Sequence, residues 1–257
     1  MTFFPALFIG HGSPMNALSD NNYTQHLKKL GKNFPEPKAI VVISAHWLTN
    51  GTFVTVEEHP EQIYDFYGFP QKLYEIPYKP VGSPFTADLV IELGKSKKIT
   101  GSKKWGIDHA AWSVLCHMFP SANIPVVEVS IDLNMPPEYH YELGKILQNL
   151  RKEEILVIGS GNLVHNLVEM DYNTEALPYD WVVEADSVVK QLLLKEDLEG
   201  LYKFPHLNSF GHKAVPSPDH YYPVFYILGI KQDNEKVNFT FEGFQNGSIS
   251  MRSFIVS

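Results

Sequence analysis

Four short runs rich in Ile, Val and Leu show little polar alternation, and no other feature constrains the fold as strongly. They lie at residues 6–9, 39–43, 124–129 and 155–158. A strand with one face in water alternates apolar and polar side chains; a strand covered on both faces does not. These runs therefore predict strands with helices on either side. The intervening segments supply the helices. Residues 22–30 read as one. Ser83 and Pro84 give an N-cap and a first-turn proline ahead of FTADLVIEL. Residues 136–150 and 180–194 give two more, and Ser217-Pro218 repeats the cap-and-proline signal for a helix running to Leu228 and stopped by Gly229. Strands alternating with helices predict an α/β fold whose largely parallel central sheet is flanked by helices. Residues 238–241 and 248–255 flank Gln245-Asn246-Gly247, and Asn-Gly favours a tight turn, so a C-terminal antiparallel hairpin is expected as an addition to the sheet.

No repeat, low-complexity tract or linker divides the chain, so residues 1–257 are expected to form a single catalytic domain. Two stretches are too long for plain connectors. Residues 57–80 are rich in Tyr, Phe and Pro, and residues 202–218 are similar in character; long ordered loops are often functional. A net charge of −8 with no basic cluster argues against a nucleic-acid partner. The lone Cys116 excludes an internal disulfide and, among apolar neighbours, reads as a buried structural thiol. The opening MTFFPALFIGHGSP has no basic segment before a long apolar one, and apolar runs stay short throughout. A cytoplasmic protein without a membrane span is expected.

Eleven histidines are the unusual feature of the composition. In an open α/β sheet, ligands bind beyond the carboxyl ends of the strands. His11 follows the first apolar run directly, His46 follows the second, and His165 lies just past the fourth. His220 is placed in the first turn of the helix capped by Ser217, and His109 follows Trp105-Gly-Ile-Asp108 at the entry to a helix. A single histidine after a strand is more often a hydrogen-bonded structural residue than a ligand. Five at such positions favour a metal centre, because imidazole is the commonest metal ligand and titrates near neutral pH. No short motif such as HExxH supports it. His26, His59 and His140 lie in polar surroundings, His117 reads as a core or interface residue, and His206 and His212 flank a loop. Tyr221 and Tyr222 read as helix packing.

Five segments together are more specific than any one. GHGSPMN at 10–16, SAHW at 44–47, WGIDH at 105–109, GNLVHN at 161–166 and PSPDHYYP at 216–223 resemble, in order, the signatures of the 4,5-DOPA extradiol dioxygenase family, a branch of the class III extradiol ring-cleaving dioxygenases. The resemblance runs from residue 6 to about 253. It implies one divalent metal per chain, a catechol such as L-DOPA as substrate, and O2 as co-substrate. It places His11, His46 and His220 as metal ligands, and His109 and His165 as acid–base residues, with His165 drawn as a metal contact in some relatives. The wider class has two histidines and a carboxylate, the arrangement suited to Fe(II). Here the third position is His220, with Asp219 beside it as the other possible ligand. A neutral third ligand suits zinc as well as iron, so zinc is expected in protein as purified and Fe(II) for oxygenase activity. A zinc-dependent hydrolase and a non-enzymatic binding protein on the same scaffold are the rival readings. A monomer or small homo-oligomer is expected.

Overall fold

The computed structural model describes residues 3–207 and 209–257. Residues 1, 2 and 208 lie outside them, the last within the 202–218 stretch. Among the described residues, strands β1 (Ala6–Gly10), β2 (Ala39–Thr49), β3 (Phe53–Thr55), β4 (Thr100–Ser102), β5 (Val126–Asp132), β6 (Ile155–Gly161), β7 (Val237–Phe241), β8 (Phe244–Gln245), β9 (Ile249–Ser250) and β10 (Ser253–Val256) are interspersed with eight α-helices. These are α1 (Asn22–Leu30), α2 (Pro84–Leu93), α3 (His109–Met118), α4 (Pro137–Leu147), α5 (Asp180–Leu194), α6 (Leu198–Lys203), α7 (Ser209–Ala214) and α8 (Pro223–Ile230). The main sheet has the order β4-β3-β5-β2-β6-β1-β10-β7. Its centre, β5-β2-β6-β1, is parallel, so four carboxyl ends share one rim. On one flank β10 joins β1 antiparallel and β7 joins β10. The C-terminal hairpin therefore extends the sheet, and β8 and β9 form a smaller hairpin nested inside it.

The uninterrupted apolar runs feed two cores. Phe8, Val41, Val127 and Val157 point into one, with α4, α5 and α8. Their neighbours Leu7, Ile9, Val42, Leu156 and Ile158 point into the other, with α1 and α3. Alternate residues of each strand thus reach opposite faces, and each fully buried aliphatic side chain contributes roughly 1.5–3 kcal/mol. The helix starts follow local chemistry. Asn21 and Thr24 form a reciprocal capping box on α1. The Ser83 hydroxyl accepts from the Thr86 amide at the start of α2.

Three expectations need correction. The helix expected from Ser217 to Leu228 does not begin there: residues 216–222 form turns, and α8 starts at Pro223. A helix through Pro223 would lack a backbone donor at that position and clash one turn back, whereas proline is suited to the first helical position. The 202–218 stretch is largely helical, holding the end of α6, a 3-10 turn over Phe204–His206, and α7. His140 is not in polar surroundings. It is fully buried, and its Nδ1 pairs with the Tyr226 hydroxyl at 3.1 Å. The 57–80 stretch is irregular apart from a 3-10 turn at Gln71–Glu75.

Candidate metal and proton-transfer site

Five histidines meet above the shared rim. His11 leaves the end of β1, where its amide donates to the Gly161 carbonyl at 3.0 Å. Gly12, at φ +62°, turns the chain away at once. His46 lies inside β2 rather than beyond it. Between Ile43 and Leu48 the register against β5 shifts, so residues 44–47 bulge from the ladder and re-aim the imidazole. His109 is the first residue of α3. His165 follows β6 and is held by a bridge to Ile249 and by its amide on the Ala214 carbonyl at 3.0 Å. His220 sits in the turn before α8. Its carbonyl lies against Gly161, where a Cβ would come within 2.1 Å of it, so only glycine allows this approach. The ring centroids of His220 lie 5.1 Å from His11, 4.9 Å from His46 and 3.7 Å from His165. Those of His46 and His109 are 4.0 Å apart.

The neighbours of these rings determine their tautomers. The Ser160 hydroxyl donates to the Ala110 carbonyl at 2.6 Å, so toward His11 it is an acceptor and takes the Nδ1 hydrogen at 3.0 Å. Asp65 Oδ2 accepts from Nδ1 of both His46 and His109, each at 2.9 Å. Asp219 Oδ2 accepts from His220 Nδ1 at 2.6 Å. Four imidazoles are therefore anchored through Nδ1, leaving lone pairs on Nε2. With both rings neutral, His11 Nε2 and His46 Nε2 face each other at 3.3 Å with no hydrogen for either to donate. Two nitrogens bound tetrahedrally to one ion at about 2.0–2.1 Å stand about 3.3–3.4 Å apart, so this pair fits a cation. The donor atoms of His11, His46 and His109 all lie within 4.8 Å of one another. Carboxylate and hydroxyl partners on the far nitrogen are the usual support of metal-binding imidazoles.

Burial, reinforced by the neighbouring rings, holds His11 and His165 well below the ordinary histidine range, and burial leads in lowering His109 and His220 too. His46 moves the other way: burial lowers it, but the bond to Asp65 and the charge of Asp108 outweigh that. Burial pulls Asp65 and Asp219 upward, yet the imidazole N–H donors prevail and keep both carboxyls well below their usual range. The site is thus a set of largely neutral imidazoles backed by two carboxylates.

Each of the five histidines singled out from the sequence is in this cluster. Asp219 pairs with His220, and the sequence reading missed Asp65. Its one local sign is a charged residue inside the aromatic run Tyr64–Tyr67, where burial demands a partner. Aromatics of the same stretch pack on one another, Phe66 meeting Tyr74 at 5.2 Å and the edge of His109 at 5.4 Å. Tyr221 is buried with its hydroxyl on the Leu201 carbonyl, and His206 and His212 are exposed. His117 Nε2 donates to the Asn16 carbonyl at 2.8 Å and supports the loop after His11.

The family model described as the catalytic LigB subunit of aromatic ring-opening dioxygenase matches residues 5–256. The chain is 44% identical over 257 residues to an Escherichia coli (strain K12) protein named 4,5-DOPA dioxygenase extradiol, covering 98% of this chain and 94% of that one. A Beta vulgaris protein of the same name is 34% identical over 256 residues, covering 96% and 94%. A crystal structure of an uncharacterized protein from Escherichia coli K12 superposes with a TM-score of 0.86 at 39% identity, covering 99% of this chain and all of the other.

Proposed function

The chain belongs to the LigB family of aromatic ring-opening dioxygenases, and from that premise we propose that it cleaves a catechol such as L-DOPA beside its hydroxyl pair, using O2 and one divalent metal held by His11, His46 and His220. The convergence of Nε2 lone pairs from Nδ1-anchored imidazoles carries this reading. When bound, Fe(II) supplies the open positions and one-electron chemistry that catechol and O2 need, which zinc cannot. We propose zinc as the metal in protein as purified. The whole chain acts as one catalytic domain in the cytoplasm, as a monomer or small homo-oligomer. Its partners are a small catechol and O2, not nucleic acid or membrane; among the described residues no helix is long and apolar enough to cross a membrane.

His165 faces substrate rather than metal in this reading. Its ring is stacked on His220 at 3.7 Å with only 10° between planes. An imidazole binds an ion lying near its own plane, and two stacked planes cannot share one. Burial keeps His165 neutral, so a free ring nitrogen can take a phenolic proton. His109 also starts neutral, but Asp65 behind its Nδ1 stabilises the protonated ring. It is therefore suited to take a proton at Nε2 and pass it to the departing oxygen. Phe66 walls this side and limits access of water.

One observation favours a second assignment. The tight donor group contains His109, not His220; His109 would then be the third ligand and His220 would move protons. Metal content of His109→Ala and His220→Ala separates the two, since only the true ligand's removal empties the site. The function itself is tested by stripping the protein, reloading aliquots with Zn(II) and Fe(II) under argon, and following oxygen uptake with L-DOPA and simpler catechols. Uptake in the iron aliquot alone is expected. Uptake in neither overturns the reading in favour of a hydrolase, and equal uptake in both overturns the metal's part in it.

A further inference from the structure

We propose that Asp65 is a positioning residue that holds two site imidazoles at once, setting the tautomer and spacing of metal-binding His46 and proton-transferring His109. This rests on the function proposed above. The carboxylate accepts three hydrogen bonds. Oδ2 takes both Nδ1 hydrogens, and Oδ1 takes the His109 backbone N–H at 3.0 Å, so it also caps the start of α3. His46 comes from a bulge in β2 and His109 from a helix start, and among the described residues only Asp65 hydrogen-bonds to both rings. With both hydrogens committed to one oxygen, both Nε2 atoms are left bare on the same side. The 4.0 Å spacing of the rings follows from sharing that oxygen.

The loop that carries Asp65 is built to hold it still. Gln62 bridges to Ile107, and Ile63 and Ile107 exchange backbone bonds with the facing segment at 2.8 and 2.7 Å. The Trp112 indole donates to the Ile63 carbonyl at 2.8 Å. Tyr64 donates to the Ile76 carbonyl at 3.0 Å and packs on Trp112. Asp65 therefore reaches the site from a braced backbone, with its side chain 12% exposed. A supporting group is effective when its own position is fixed by packing and hydrogen bonds.

Asp65→Asn is the informative substitution, because it keeps shape and removes one acceptor. In one orientation the amide nitrogen faces the His109 backbone N–H. In the other it faces both Nδ1 hydrogens and forces the rings to move them to Nε2. Either way a donor opposes a donor. Zn(II) affinity, read by chelator competition, should fall about 10- to 100-fold, as for other groups that support metal-binding histidines. Gln62→Ala removes loop anchors to Ile76 and Tyr78 without touching the carboxylate and should leave Zn(II) affinity unchanged. Equal weakening by both variants would reduce Asp65 to a loop tether, and unchanged affinity in Asp65→Asn would overturn the proposal outright. Should Asp65→Asn not fold, nitrogen-15 spectra of the zinc-loaded wild type decide. Both His46 and His109 should carry hydrogen on Nδ1, and a bare Nδ1 on either overturns it. These readouts use zinc and no oxygen uptake, so they stand whether or not the dioxygenase reading does.

Discussion

His140 and the five rim histidines are all buried or half-buried, yet only one of these regions brings imidazoles together. His140 lies between α4 and α8, fully buried, its ring 4.5 Å from that of Tyr222 and 5.3 Å from that of Tyr226. Burial pushes its pKa down to about 4. Burial lowers His11 and His165 in the same direction. A depressed histidine therefore does not distinguish the two places. What differs is the second nitrogen. At the rim, Asp65, Asp219 and Ser160 take the Nδ1 hydrogens and leave several lone pairs facing one space. At His140 a single ring pairs its Nδ1 with the Tyr226 hydroxyl, and among the described residues only tyrosine rings, no second imidazole, pack against it. Convergence of unsatisfied acceptors marks the site; burial alone marks a packed interior.

The largest effect should come from His11→Ala. The variant is expected to lose its metal and all ring cleavage, while His140→Leu keeps both, measured by elemental analysis and oxygen uptake. Metal loss in His140→Leu would erase the distinction. Next, His165→Ala should retain metal and lose about 10²–10⁴ in kcat, the usual range for one acid–base group. Metal loss there would mean that stacking on His220 does not keep His165 out of the coordination sphere.

A smaller effect sharpens the contrast from the other side. In the unfolded chain His140 titrates near 6.5, and in the folded protein at about 4. As pH falls, the unfolded state takes the proton first. Stability from the neutral buried ring is thus complete above pH 6.5, declines as pH drops toward 4, and levels off below. The full loss is about 3 kcal/mol. Denaturant midpoints of metal-loaded protein between pH 7 and 4 should show this slope in the wild type and a shallower one in His140→Leu. Equal slopes would remove His140 from the account. His59, exposed, sets the zero: His59→Ala should shift stability by less than about 0.5 kcal/mol and leave cleavage untouched.

The same contrast explains what was legible in the sequence. The parallel centre was readable because its strands are apolar on both faces, α2 because its Ser-Pro start acts within one turn, and α1 and α5 because their buried residues recur at helical spacing. β3 and β4 were not: each has three residues, and Thr100-Gly-Ser102 offers no apolar pattern. His140 was misplaced although a signal existed. His140, Leu143, Gly144 and Leu147 are buried together at helical spacing, one face of α4. The site histidines were legible because each stands beside a strand end or a helix start. Asp65 was not, because its partners lie 19 residues before it and 44 after it. Only tertiary structure joins a loop carboxylate to rings so distant along the chain.

The segment at residues 244–256, the nested hairpin followed by β10, has a consequence for the order in which the proposed site is completed. Gln245 exchanges side-chain amide bonds with Asn16 at 2.8 and 2.9 Å, Ser250 donates its amide to the Val164 carbonyl at 3.0 Å, and Ser253 accepts from the Gly10 amide at 3.0 Å. One short segment thus braces the chain just before and after His11 and just before His165. During synthesis all five histidines emerge before it does. A nascent chain displaying residues 1–243 carries every proposed ligand, but β1 still lacks its antiparallel neighbour β10. Chains fold by units as they emerge, so metal capture should lag behind emergence of His220 and coincide with arrival of the hairpin. Stalled chains ending at residues 243 and 257, compared for zinc retention, would reveal that step; equal retention would mean that the metal enters before the hairpin closes.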